Sequence, residues 1–83
     1  LNHFLTGKDR IAYTQTLKAC ATGASWSDIK SAISIRKHSP VNDRKIKDTI
    51  ENLLDSMYIE RNEKDGNYTI IDPLVKEIVK GLR

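Results

Sequence analysis

Positive charge gathers in one short stretch of the chain. Arg36, Lys37, Arg44, Lys45 and Lys47 stand against a single acid, Asp43, between positions 36 and 47, a local charge of +4 in a chain whose net charge is +3. His38, Ser39 and Asn42 lie among these cations. Guanidinium and ammonium groups at this density suit phosphate, and a guanidinium can also fork onto the O6 and N7 edge of guanine. Ser39 and Asn42 add neutral hydrogen-bonding groups of the kind that contact a phosphate backbone. The following stretch reverses sign. Asp48, Glu51, Asp55, Glu60, Glu63 and Asp65 outnumber Arg61 and Lys64 between positions 48 and 65, a local charge of −4. A polyanion is therefore met by the first block, with Arg61, Lys64 and Asn67 as isolated contacts further on. With about five phosphates neutralised, the logarithm of affinity falls against the logarithm of salt concentration with a slope of roughly −4 to −5.

Other chemistries find little support. Cys20, His3 and His38 are the whole Cys and His inventory, scattered and without the paired spacing of a zinc site, so no metal or cofactor is expected. A lone cysteine forms no intrachain disulfide and suits a reducing, cytoplasmic setting. His38 stands beside Ser39, but in a basic stretch without the acid and glycine-rich surroundings of a nucleophilic centre, so it is assigned to a loop or a phosphate contact. Glu60, Glu63 and Asp65 are placed around a turn and read as solubilising residues. No apolar run approaches the ~18 residues of a membrane span, and no membrane partner is expected. Eighty-three residues, 39% of them hydrophobic, make one small domain over 1–83. Its first residue, Leu1, is not methionine, which suggests a piece of a longer protein.

The elements that carry these residues follow from periodicity. A first helix is expected over about Lys8–Thr22, with Tyr13, Leu17, Cys20 and Ala21 on one face and Gly23 just past its end. A second starts after Ser25, whose spacing to Asp28 resembles a capping box, and ends near Arg36. Trp26, Ile29 and Ile33 form its apolar side. A third is capped by Asn42 or Asp43 and carries Ile46, Ile50, Leu53, Leu54 and Met57 at i, i+4, i+7, i+8 and i+11. Phe4, Tyr13 and Trp26 are read as core or core-edge residues. The period then changes. Tyr58–Arg61 and Tyr68–Ile71 are short strand-forming runs around Asp65-Gly66, a turn signal, and make a β-hairpin. Asp72-Pro73 opens a fourth helix as N-cap and first helical residue. A very short extra strand is expected around Ala24. The fold class is mainly α with a small hairpin, in the order α-α-α-β-β-α, which is the plan of a winged helix-turn-helix. In that plan the third helix enters the major groove of DNA and the hairpin is the wing.

A family resemblance rests on specific residues. The run Gly66–Leu74 carries Tyr68, Ile70, Asp72 and Pro73 in a Tyr-x-Ile-x-Asp-Pro pattern that resembles the close of the winged-helix domain of archaeal P-loop ATPases, AAA-like or STAND-type. Gly7, Arg10, Tyr13, the run Trp26-Ser27-Asp28-Ile29, Leu53-Leu54 and Tyr58-Ile59-Glu60 also look like that family, and the likeness covers nearly the whole chain. It implies a domain on the C-terminal side of an ATPase core that binds DNA or regulates the core. The chain has no Walker A motif of its own: Gly7-Lys8 is followed by Asp9, and Asn2 stands where the first glycine belongs. No enzymatic activity is therefore expected of these residues.

Two functions follow from this reading. The first is a non-enzymatic module that binds duplex DNA through Arg36, Lys37, Ser39, Asn42, Arg44, Lys45 and Lys47, with Arg61, Lys64 and Asn67 on the wing. Because Asp48, Glu51 and Asp55 share the outward side of the third helix with Arg44, that contact must be made end-on, through the first turn. The second is a regulatory, docking or dimerisation domain. Leu74, Val75, Ile78, Val79 and Leu82 give the fourth helix an apolar side wide for so small a core. Leu74, Ile78 and Leu82 are the expected surplus, facing a parent ATPase domain or a second copy.

Overall fold

The computed structural model describes residues 9–81. Among them the helices are α1 (Arg10–Cys20), α2 (Trp26–Lys37), α3 (Asp43–Asp55) and α4 (Pro73–Lys80), with strands β1 (Ile59–Arg61) and β2 (Tyr68–Ile70) between α3 and α4. The expected start of the first helix at Lys8, and Phe4, lie outside the described residues. That helix ends at Cys20 rather than Thr22, with Ala21 as its cap, and Gly23 then turns the chain at φ +87°.

Local chemistry sets each boundary. At α2 the Ser25 hydroxyl accepts from the Asp28 N–H and the Asp28 carboxylate accepts from the Ser25 N–H, both at 3.1 Å, so the capping box is complete. At α3 the Asn42 side chain accepts from the Lys45 N–H at 2.8 Å. At α4 the Asp72 carboxylate accepts from the Leu74 N–H at 2.8 Å, and Pro73 takes the first helical position.

The C-termini of α2 and α3 close alike. His38 donates its N–H to the Ile35 carbonyl and Ser39 to that of Ser34, both at 3.2 Å. Met57 donates to Leu54 at 3.1 Å and Tyr58 to Leu53 at 3.0 Å. This is the Schellman arrangement, and it puts His38 (φ +56°) and Met57 (φ +64°) in the left-handed region. Met57 thus corrects the sequence reading. The helix stops two residues before it, the backbone reverses, and its side chain is 71% exposed instead of extending the buried face.

The hairpin pairs Ile59 with Ile70, Glu60 with Thr69 and Arg61 with Tyr68. Each strand is one residue shorter than expected, at Tyr58 and at Ile71, although the Ile71 N–H still donates to the Tyr58 carbonyl at 3.0 Å. Gly66 supplies the turn's positive φ, +74°. Ala24 and Tyr68 exchange two backbone hydrogen bonds, 3.0 and 2.7 Å, so the extra strand expected around Ala24 exists as a single bridge. It ties the link between α1 and α2 to the wing.

Helix α1 is the hub, packing on α2, α3, α4 and β2. Leu17 and Cys20 meet Ile29 and Ile33 of α2, Ile46, Ile50 and Leu53 of α3, Ile59 of β1 and Val79 of α4 in one buried cluster. Tyr13, Trp26, Tyr58, Tyr68 and Val75 pack around its edge. Truncating one of the larger buried side chains to Ala costs about 2–5 kcal/mol, a large part of what so small a domain has.

Candidate nucleic-acid interface

The cap at Asn42 fixes where the first turn of α3 points its side chains, and the cations there part company. Arg44 is exposed and makes no ion pair among the described residues. Lys45, the next residue, turns back toward α1, where its ammonium pairs with the Asp9 carboxylate, and it is only about one-third exposed. Lys47 returns to the outer side, exposed, with Glu51 one turn on at 3.9 Å. Arg44 and Lys47 are three residues apart, which is one helical face.

That face meets the start of α2. Trp26, Asp43, Arg44, Lys47 and Asp48 line one open groove between the two helices. Lys30, one turn after Trp26, crosses to Asp43 with an N–O distance of 2.6 Å, and its ammonium stands 5.6 Å from the centre of the Trp26 ring. The pair neutralises the acid nearest the helix entrance. Among the groove's charged residues Arg44 and Lys47 then exceed Asp48. A pair this exposed contributes little to stability, ~0–1 kcal/mol, but it sets the charge of the surface.

The remaining sequence-derived residues sit apart from this groove. Arg36 and Lys37 occupy the last turn of α2, about 15 Å along the helix axis from Trp26 at 1.5 Å per residue. Arg36 is exposed and Lys37 half-buried. Ser39 is exposed in the turn that follows. Asn42 spends its side-chain oxygen on the cap, which leaves its amide N–H group for a ligand. On the wing, Arg61 and Lys64 are exposed. Asn67 is half-buried at the base of the loop, where its N–H donates to the Asp65 carboxylate at 2.9 Å and its carbonyl accepts from Asn62 at 2.7 Å. Sequence reasoning placed Trp26 in the core edge and did not connect Lys30 or Asp48 to the site. The i, i+4 spacing of Trp26 and Lys30 was the available signal.

On α4, Val79 is buried and Val75 half-buried against the core, whereas Leu74 is 73% and Ile78 54% exposed. Leu82 lies outside the described residues. Among the described residues no cluster of His, Cys, Asp and Glu is arranged to hold a metal ion, and no helix is long and apolar enough to cross a membrane.

A family model described as the MCM protein C-terminal winged helix-turn-helix domain matches residues 8–71, well over half of the chain. The chain belongs to this family. No curated protein matches it. Membership bears out the winged-helix plan and the coarser part of the resemblance, a winged-helix domain of a P-loop ATPase. It also makes the chain an MCM-type winged-helix domain and not a catalytic one. The matched region contains the whole groove and the wing, and it stops before α4.

Proposed function

We propose that this MCM-type winged helix binds duplex DNA, with the first turns of α3 in the major groove, the start of α2 on the adjacent phosphates and the wing on a flanking strand. The observation that supports the reading best is the pairing of Arg44 with Lys47. Both are exposed, both line one groove, and Asp43, the acid beside Arg44, is already paired with Lys30. Arg44 is suited to a guanine edge or a phosphate, and Lys47 to a phosphate, while Lys30 stays on Asp43. Ser39, Asn42, Arg36 and Lys37 extend the phosphate track along the turn, and Arg61, Lys64 and Asn67 extend it on the wing. Asp48, Glu51 and Asp55 lie further along α3 and oppose a lengthwise docking, so the helix is presented by its N-terminal end. The work of the domain is then to hold DNA for the protein that carries it, with no chemistry of its own.

Fluorescence anisotropy on a labelled 20-base-pair duplex tests this at low salt. The double variant Arg44→Ala, Lys47→Ala is expected to weaken binding at least tenfold and to reduce the salt slope by about 0.9 for each phosphate that it no longer neutralises. Lys45→Ala, which removes an internal ion pair, is expected to leave the slope unchanged. Equal affinity and slope for wild type and the double variant would remove α3 as the DNA-contacting element.

A second reading is favoured by one observation, the exposure of Leu74 and Ile78 on the side of α4 turned away from the core. In it the domain docks through α4 on a second copy or on the ATPase domain of the same protein and regulates it.

A further inference from the structure

Helix α4 has a face that the fold leaves uncovered. Leu74 is 73% and Ile78 54% exposed, four residues apart on one side of the helix, while Val75 and Val79 turn into the core. Ile71, 39% exposed, adds to the strip just ahead of the helix. The ends of α4 differ in sign. Asp72, exposed, caps the N-terminal end, and Lys80, exposed, stands in the last turn with Glu77 at 3.9 Å. Lys76, midway between Leu74 and Ile78, is turned about 200° round the helix from Leu74 and stays clear of the strip. Helix α4 packs on α1 and β2, so a contact made through its outer face leaves the groove of α2 and α3 open.

Such a strip is its own complement. When two copies of α4 cross antiparallel about a two-fold axis level with Lys76, Leu74 of each copy lies against Ile78 of the other. Asp72 of each copy then lies level with Lys80 of the other. Apolar atoms meet apolar atoms, opposite charges meet at both ends, and the positive end of each helix dipole meets the negative end of its partner. Ile71 comes level with Gly81 of the other copy, which has no side chain to obstruct it. A parallel crossing would instead set Asp72 against Asp72 and Lys80 against Lys80. We infer that a second copy of this chain occupies the outer face of α4, bound as an antiparallel two-fold pair. The inference rests on the docking reading above and gives it a partner and a geometry. Two strips of this size bury together about 1,000 Å² or less, which puts the pair in the weak, transient class.

Complementary variants test the register by sedimentation equilibrium. Leu74→Glu alone sets a carboxylate against the other copy's Ile78 at both contacts, and Ile78→Lys alone sets an ammonium against the other copy's Leu74. Each variant is expected to weaken self-association at least tenfold. In an equimolar mixture one contact becomes carboxylate against ammonium and the other stays Leu against Ile. The mixture is therefore expected to associate at least tenfold more tightly than either variant alone. Both positions are exposed, and an acid in the first turn with a base in the last suits the helix dipole, so α4 stays formed. Circular dichroism verifies this. If both variants lose association and the mixture does not recover it, the antiparallel pair is refuted and docking through α4 stands. A wild type that is monomeric throughout refutes the second copy and leaves the ATPase domain as the occupant. Wild-type association that neither variant weakens takes the contact off α4, and the docking reading fails together with the inference.

Discussion

His38 and Met57 are the non-glycine residues with left-handed backbone among those described, and both sit where a Schellman motif most often places glycine. An L residue there costs ~1–2 kcal/mol. At Met57 little packing offsets the cost, since the side chain is 71% exposed. Replacing it with glycine removes the strain and adds under about 1 kcal/mol of chain entropy to the unfolded state. Met57→Gly is therefore expected to stabilise the domain by about 0.5–1 kcal/mol, a rise of roughly 3–6 °C in Tm by thermal circular dichroism. Met57→Ala, which keeps the Cβ in the same backbone region, should gain nothing. A glycine variant no more stable than the alanine variant would mean that Met57 is not strained. The same residue-scale logic separates Arg44 from Lys45. They are adjacent in sequence and both cationic, yet one faces the groove and the other an acid of the chain's own. A count of basic residues cannot make that distinction, because the helix turns by ~100° between them.

At the scale of elements, much was legible in the sequence. Ser25 with Asp28, Asn42, and Asp72 with Pro73 mark the starts of α2, α3 and α4 because each signal acts within three residues of itself. Asp65-Gly66 marks the hairpin for the same reason. The end of α2 was legible to within one residue, near Arg36 against Lys37, but that of α3 was not, since the non-glycine left-handed residue Met57 has no signature in composition. The groove was hidden as well: it needs Trp26 and Lys30 of one helix beside Asp43, Arg44 and Asp48 of another, a juxtaposition that only tertiary packing creates. Helix α4 was half legible. Its apolar side splits into Val75 and Val79, which pack on the core, and Leu74 and Ile78, which do not. The pair lies one turn apart on an eight-residue helix, so the strip is short and any association through it is modest. Sedimentation equilibrium should detect self-association of the wild type at high concentration, and Leu74→Lys with Ile78→Lys should abolish it without loss of helicity. A wild type that sediments as a monomer throughout would exclude a second copy as the occupant of this face.

For the molecule as a whole, stability depends on one cluster that all four helices and β1 enter, and Cys20 lies within it at 1% exposure. Burial favours the neutral thiol and pushes its pKa up from the ordinary 9.0 to about 12. The consequence for folding has a definite sign. Below pH 8 the thiol is protonated in folded and unfolded chains alike, and pH changes nothing through this group. Above pH 9 the unfolded chain releases a proton that the folded chain keeps, so the unfolded state gains free energy of ionisation and the fold weakens. The loss approaches 1.4 kcal/mol per pH unit until the folded thiol itself titrates, which amounts to about 1.5–2 kcal/mol between pH 9 and pH 10.5. Lysines and tyrosines ionise in the same range, so the comparison is made against Cys20→Ala, which shares them. Urea unfolding at several pH values should show wild type losing stability faster than Cys20→Ala above pH 9, although the variant starts lower at pH 7.5 because of the atom it lacks. Parallel curves would place the sulfur in contact with water when the domain is folded, which is incompatible with a single core shared by α1 and the other three helices.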